Sequence, residues 1–269
     1  MKKVLPSSSD GSSSAHEMKT LFSLIAMMIT LSTIQAADSR VYEMRVYYAA
    51  PGKLEALHAR FRDHTTKLFE KNGITNIGYW VPEGENKELK LVYVIAYPSA
   101  EVSKKNWQSF LNDPAWKKAY AESEKQGKLV AKVESYFMNA TDYSPEIKPS
   151  TAAPRVFELR DYTASPGNLA ALNARFRDHT VALFSKHGMK NLFYWNFAKD
   201  QKDADKKLVY LIAHKSRDAA KASFDGFRQD AAWVAARKAS EEKAGGSLTI
   251  AKDGVKSEFL VATDYSPTK

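Results

Sequence analysis

The sequence predicts an α+β protein made of two tandem copies of one β-α-β-β-α-β unit, and three observations carry that prediction. First, whole segments recur. V-Y-E-M-R-V-Y at 41–47 returns as V-F-E-L-R-D-Y at 156–162, and R-F-R-D-H-T is identical at 60–65 and 175–180, each 115 residues further on. Each copy closes on A-T-D-Y-S-P, at 140–145 and 262–267. Second, the period is that of a whole domain, far longer than the roughly 20–50 residues of solenoid repeats. Third, the hydrophobic pattern alternates between strand-like and helix-like spacing in the same order in both copies.

The elements follow in order. Residues 41–48 alternate β-branched and aromatic side chains with others, hence a first strand. Pro51-Gly52 breaks it. Over 53–71 the apolar positions Leu54, Leu57, Phe61 and Leu68 fall at helical spacing, and Asn72-Gly73 supplies the stop. Residues 76–81 read as a second strand, followed by a loop over 82–88. The continuous apolar run 90–97 predicts a third strand buried on both faces. A helical stretch over 100–111 precedes Asp113-Pro114, an N-cap followed by proline at the first helical position, which opens another helix. Residues 128–139 form the fourth strand. This order is the split βαβ of a ferredoxin-like sandwich. Helices on one face leave the other face of each sheet needing cover. The economical cover is the second copy, so the two sheets are expected to pack together as one α+β barrel within the chain.

Domain boundaries are expected at 1–37 for a leader, 38–145 for repeat one, 146–154 for a linker and 155–269 for repeat two. In the leader, Lys19 precedes an apolar run over 21–34 that ends in small residues, the pattern of a secretory signal peptide. Met18 is the expected true start, and cleavage after Ala36 would leave Ile34 three positions back. Export to the periplasm or beyond the cell follows as an expectation, with no membrane span in the mature chain. The formal charge of +9, from 40 basic and 31 acidic residues, is spread as mixed Lys/Glu faces with no like-charge run of five, so no nucleic-acid footprint is expected. The absence of cysteine excludes disulfides, thiolate nucleophiles and Cys-ligated metals. No P-loop, dinucleotide fingerprint, nucleophile elbow or metal-ligand spacing occurs, so neither a cofactor nor a metal is expected.

Together, Y-E-x-R-x-Y, Pro-Gly, the histidine-bearing helix and G-Y-W resemble the NIPSNAP family of the dimeric α/β-barrel superfamily. The resemblance spans both repeats. It implies a ferredoxin-like barrel and frequent homo-oligomers, but no agreed chemistry. Wider barrel relatives include cofactor-free monooxygenases, haem-degrading enzymes and small isomerases, and fold alone does not select among them.

Candidate site residues come from the repeated positions. His64 and His179 fall in the apolar stripe of the first helix of each copy, as in Leu57, Phe61, His64, Leu68. A buried imidazole there would serve as general base or as donor to a carbonyl, or would be a structural histidine bonded to its surroundings. Glu43 and Arg45 share one strand face with Tyr47, as do Glu158 and Arg160 with Tyr162. They read either as anion recognition or, preferentially, as a buried ladder pairing Glu of one repeat with Arg of the other. Trp80, Tyr93, Trp195 and Tyr210 form an aromatic set suited to a planar apolar ligand or to plain packing. Arg60, Arg62 and Asp63 are expected on a solvated helix face. The function expected is binding of a small, partly apolar molecule between the first helix and the sheet. Cofactor-free oxygenase or isomerase chemistry, or a purely structural role, are the alternatives.

Overall fold

The computed structural model describes residues 38–151 and 155–269; the leader and its cleavage site lie outside the described residues. Repeat one runs β1 (Val41–Ala49), α1 (Leu54–Arg60), a π-helical turn (Phe61–Thr65), α2 (Thr66–Lys71), β2 (Thr75–Pro82), β3 (Lys90–Tyr97), α3 (Ala100–Asn112), α4 (Pro114–Ser123) and β4 (Val130–Ala140). Repeat two runs β5 (Val156–Thr163), α5 (Leu169–Arg175), a second π-helical turn (Phe176–Thr180), α6 (Val181–Lys186), β6 (Lys190–Phe197), β7 (Lys207–His214), α7 (Arg217–Gln229), α8 (Ala231–Ala244) and β8 (Val255–Ala262). The predicted order of strands and helices is therefore present in both halves.

Eight antiparallel strands close into a barrel in the order β1-β3-β2-β8-β5-β7-β6-β4. Each repeat contributes a four-stranded sheet, and two short seams join them. β2 meets β8 through Trp80↔Ala262, Val81↔Val261 and Pro82↔Leu260, while β4 meets β6 through Met138↔Phe197, Asn139↔Asn196 and Ala140↔Trp195. Closure satisfies the backbone groups that an open sheet would leave at its edges. The inner faces of both sheets share one apolar core that includes Tyr42, Met44, Val94, Phe157, Leu211 and Leu260. The outer faces bury Leu57, Phe61, Phe69 and Phe110 in repeat one, and Leu172, Phe176, Phe184 and Phe227 in repeat two, under the helices. β3 is buried on both faces, as its unbroken apolar run predicts. Asp113 caps α4 by accepting from Ala115 N at 2.9 Å, and Gly73 takes the left-handed conformation (φ 74°) after α2.

The first helix departs from the prediction in its middle. The duplicated hexapeptide R-F-R-D-H-T is the π-helical turn and its entry residue. Leu57, Phe61, Thr65 and Phe69 are all buried, each four residues after the last. On a regular helix a four-residue step drifts by about 40°, so three such steps would turn about 120° off the sheet. The wider turn absorbs that drift. Thr65 Oγ1 donates to Arg60 O at 3.1 Å, and Thr180 Oγ1 to Arg175 O at 3.1 Å, so each threonine serves a carbonyl within the widened turn.

Candidate functional site

In repeat one a cavity of about 640 Å3 opens between the helices and the outer face of β1 and β4. Glu43, Arg45 and Ser135 form its floor; Arg60, Thr65, Phe69, Trp107, Phe110 and Trp116 form its walls. Three of the protein's exposed large apolar side chains, Leu111, Tyr120 and Val133, stand around it, with Lys128.

Glu43 is 1% exposed, and each of its oxygens receives two donors. Oε1 accepts from Arg45 Nη1 at 2.5 Å and Ser135 Oγ at 2.6 Å; Oε2 accepts from the Tyr97 hydroxyl at 2.6 Å and Trp107 Nε1 at 3.0 Å. Burial, and then Glu43 itself, push the Tyr97 phenol well above its usual value, which keeps it a donor. With its four lone-pair sites taken, Glu43 orients Arg45 and is not placed to accept a proton from a ligand. The Arg45 guanidinium lies 4.6 Å from the Trp107 ring centre, and its Nε is buried with no hydrogen-bond partner among the described residues. Arg60 donates to Glu124 at 2.9 Å, lies 5.5 Å from the Trp116 ring, and likewise has a buried Nε with no partner among the described residues. Two arginines thus line one aromatic-walled chamber.

The Glu–Arg pairing differs from the ladder expected between repeats. Glu43 binds Arg45 of its own strand, and Glu158 binds Arg160. The reason is topological: β1 is flanked by β3 and β4, never by β5, and this face of the strand points outward to the helices. In repeat two, His214 stands where Tyr97 stands in repeat one, with Nε2 3.0 Å from Glu158 Oε2, and Phe224 replaces Trp107 beside Arg160. Burial pushes the Glu158 carboxyl up, but the His214 hydrogen bond and the Arg160 guanidinium outweigh it and leave the group below its usual value. Cavities of about 390 and 350 Å3 lie against α8, and neither is lined by Glu158 or Arg160.

His64 and His179 are exposed, which corrects the core position expected for them. The π-helical turn puts Thr65 and Thr180 into those slots and rotates the imidazoles to solvent; His179 only borders the 390 Å3 groove. Trp80 and Trp195 are also placed elsewhere. They fill the barrel interior, 5.7 Å from Phe157 and 5.8 Å from Tyr42, on the opposite side of the sheet from the repeat-one cavity. Tyr93 and Tyr210 are fully buried beneath the helices against Phe61 and Phe176, and do not line a described cavity. Of the predicted set, Arg45 alone lines the chamber, while Arg160 keeps its counterpart position. Arg60 is buried, contrary to the solvated face expected, because Glu124, Trp116 and Tyr120 enclose it. Trp107, Arg60 and Lys128 were the residues missed. The repetition of Arg60 as Arg175 was the available signal.

A closed eight-stranded barrel with outer helices, assembled from two βαββαβ halves, defines a dimeric α/β barrel contained in one chain. The chain belongs to the NIPSNAP family, whose signature matches residues 42–145 and 157–267. Among solved structures, a candidate monooxygenase from Lactobacillus acidophilus NCFM is 9% identical, with 83% of this chain and 94% of that chain covered and a TM-score of 0.52. One from Fusobacterium nucleatum is 12% identical over 83% of this chain and 92% of that chain, with a TM-score of 0.51. An uncharacterised NIPSNAP-like domain protein from Burkholderia xenovorans is 16% identical, spanning 43% of this chain and 97% of that chain, with a TM-score of 0.37. At these identities the two full-length similarities establish the barrel and nothing of its chemistry. No curated protein matches the chain.

Proposed function

We propose that repeat one binds a small, partly apolar molecule carrying an anionic or carbonyl acceptor. The observation that carries this reading is the pair of arginines, Arg45 and Arg60, that line one aromatic-walled cavity with Trp107 and Trp116. An acceptor would bond to the guanidinium of Arg45, which is partly exposed, and a planar apolar body would lie against Trp107, Phe110 and Trp116. Binding is favoured over turnover because the buried carboxylate of the chamber, Glu43, is saturated with donors. The test is a titration of the protein with 2-naphthoate, read by tryptophan fluorescence. Saturable quenching is expected in the wild type and its loss in Val133→Trp, which plugs the mouth from an exposed position. A wild-type protein that never saturates overturns the proposal. Export belongs to the same proposal, and N-terminal sequencing of protein recovered from outside the cytoplasm tests it. A chain still beginning at Met1 would contradict it.

A further inference from the structure

We propose a second ligand site, in one mouth of the barrel, that takes an alkyl chain ending in an anionic group. It is independent of the chamber in repeat one and needs both repeats.

The barrel interior is filled unevenly. Trp80, Trp195, Phe157 and Tyr42 pack part of it solidly, each 1% exposed or less. Toward the other end of β1 the interior opens into a cavity of about 680 Å3. Equivalent residues of the two repeats line it in pairs: Met44 with Leu159, Val92 with Val209, and Lys90 with Lys207. The cavity therefore lies between the two halves, and neither half alone encloses it.

Its floor is apolar and its rim is charged, with Lys90, Lys202, Lys207 and Lys256 set among Glu134, Asp161, Asp203 and Glu258. Each rim carboxylate already has a lysine. Asp161 accepts from Lys207 at 2.9 Å, Glu258 lies 2.6 Å from Lys90, Glu134 2.5 Å from Lys132, and Asp203 3.0 Å from Lys206. Lys202 and Lys256 line the same cavity and pair with no carboxylate among the described residues. An apolar floor beneath two uncommitted ammonium groups matches an amphipathic anion, with its chain against Met44, Val92, Leu159 and Val209 and its head at the lysines. The duplication made this polarity attainable. A symmetric pair of chains would repeat every rim charge, whereas here Lys256 in β8 takes the place that Glu134 has in β4, and Asp161 in β5 the place of Val46 in β1, so that Lys256 faces Asp161 across the strands while Glu134 faces Val46.

The test is isothermal titration of the full chain with decanoate, with decyltrimethylammonium as the control of opposite charge. In Val133→Trp, whose repeat-one chamber is closed, one decanoate per chain is expected, with no saturable binding of the cation. Lys202→Gln with Lys256→Gln, two exposed substitutions, should weaken decanoate by roughly tenfold or more. The lysine changes are read in the Val133→Trp background, so that the repeat-one chamber, which also admits an apolar anion, does not contribute. Absence of saturable decanoate binding, equal binding of the cation, or an unchanged affinity in the double lysine variant would each overturn the proposal. Loss of decanoate in Val133→Trp would reassign the binding to repeat one and likewise overturn it.

Discussion

Arg62 and Asp264 lie 202 residues apart in the chain and meet as a two-pronged ion pair, Nε and Nη2 of the arginine donating to the two carboxylate oxygens at 2.5 and 2.9 Å. Arg177 and Asp142 repeat the arrangement at 2.6 and 2.7 Å. The A-T-D-Y-S-P segment that ends each repeat thus reaches the π-helical turn of the other. Its tyrosine follows: the Tyr265 hydroxyl lies 2.8 Å from His58 Nδ1, and the Tyr143 hydroxyl donates to Asn173 at 2.7 Å. Its serine takes the backbone N–H of Tyr79 at 2.9 Å or of Tyr194 at 3.1 Å. The two duplicated motifs are the two halves of one reciprocal latch across the barrel.

The latch should draw its strength from the tyrosines more than from the exposed ion pairs. Tyr265 packs against Phe61 and Tyr79 at ring distances of 6.2 and 5.4 Å. We expect Tyr265→Ala to cost about 3–5 kcal/mol, as large aromatic truncations do, and Tyr265→Phe about 1 kcal/mol through the lost hydrogen bond. Arg62→Ala should change stability by less than about 1 kcal/mol. Urea denaturation ranks the three, and an arginine effect larger than the tyrosine effect would reverse the assignment.

Glu43 and Arg45 should be strongly coupled. Removing Arg45 leaves Glu43 charged and buried, at a cost of about 3–5 kcal/mol. Glu43→Gln combined with Arg45→Met should cost clearly less than the two single changes added, with an interaction energy above about 1 kcal/mol. Additive effects in the four-protein cycle would mean that the pair is not the unit that orients the cavity floor.

The π-helical turn makes opposite demands on adjacent residues. Thr65→Val removes the hydroxyl that serves the Arg60 carbonyl and should cost about 1 kcal/mol. His64→Ala, at an exposed position, should stay within about 0.5 kcal/mol of the wild type. A large His64 effect with a silent Thr65 would restore the regular 3.6-residue register and place the histidine in the core.

Acid should weaken the cap of α4 in a defined window. Hydrogen bonds from Lys71, from Ala115 N and from Asn72 hold the Asp113 carboxyl down to about 2. A folded value below the unfolded one of about 3.9 means that its stabilisation is complete above about pH 4 and is lost as pH falls toward 2. Asp113→Asn should lower the melting temperature at pH 7 and flatten its decline between about pH 4 and pH 2. An equal decline in both proteins would show that Asp113 carries none of the acid sensitivity. The pH-dependence of melting, followed by circular dichroism, decides between them.

Strand order, helix order and barrel formation were legible because each rests on local periodicity and on duplication, which a sequence displays directly. The histidine positions were not, because a regular helical period across Leu57 and Phe61 puts His64, not Thr65, in the buried stripe. The spacing of Leu57, Phe61, Thr65 and Phe69 by fours already contained the wider turn. Arg45 was found because alternation assigns strand faces, but its partner was misplaced because pairing depends on which strands are neighbours. Trp107 and Arg60 come to the chamber from separate helices, and no short-range pattern joins them. The latch was visible only as two repeated motifs, with nothing in either to say that it closes on the other half.

Native mass spectrometry of the full protein with 2-naphthoate tests the central claim most directly, since it counts ligands on a folded chain. We expect one naphthoate bound per wild-type chain and none on Val133→Trp at the same concentration, with both variants showing the same folded charge-state distribution. No bound naphthoate at saturating concentration, or the same occupancy with the mouth plugged, would contradict a ligand site on the floor formed by Glu43 and Arg45.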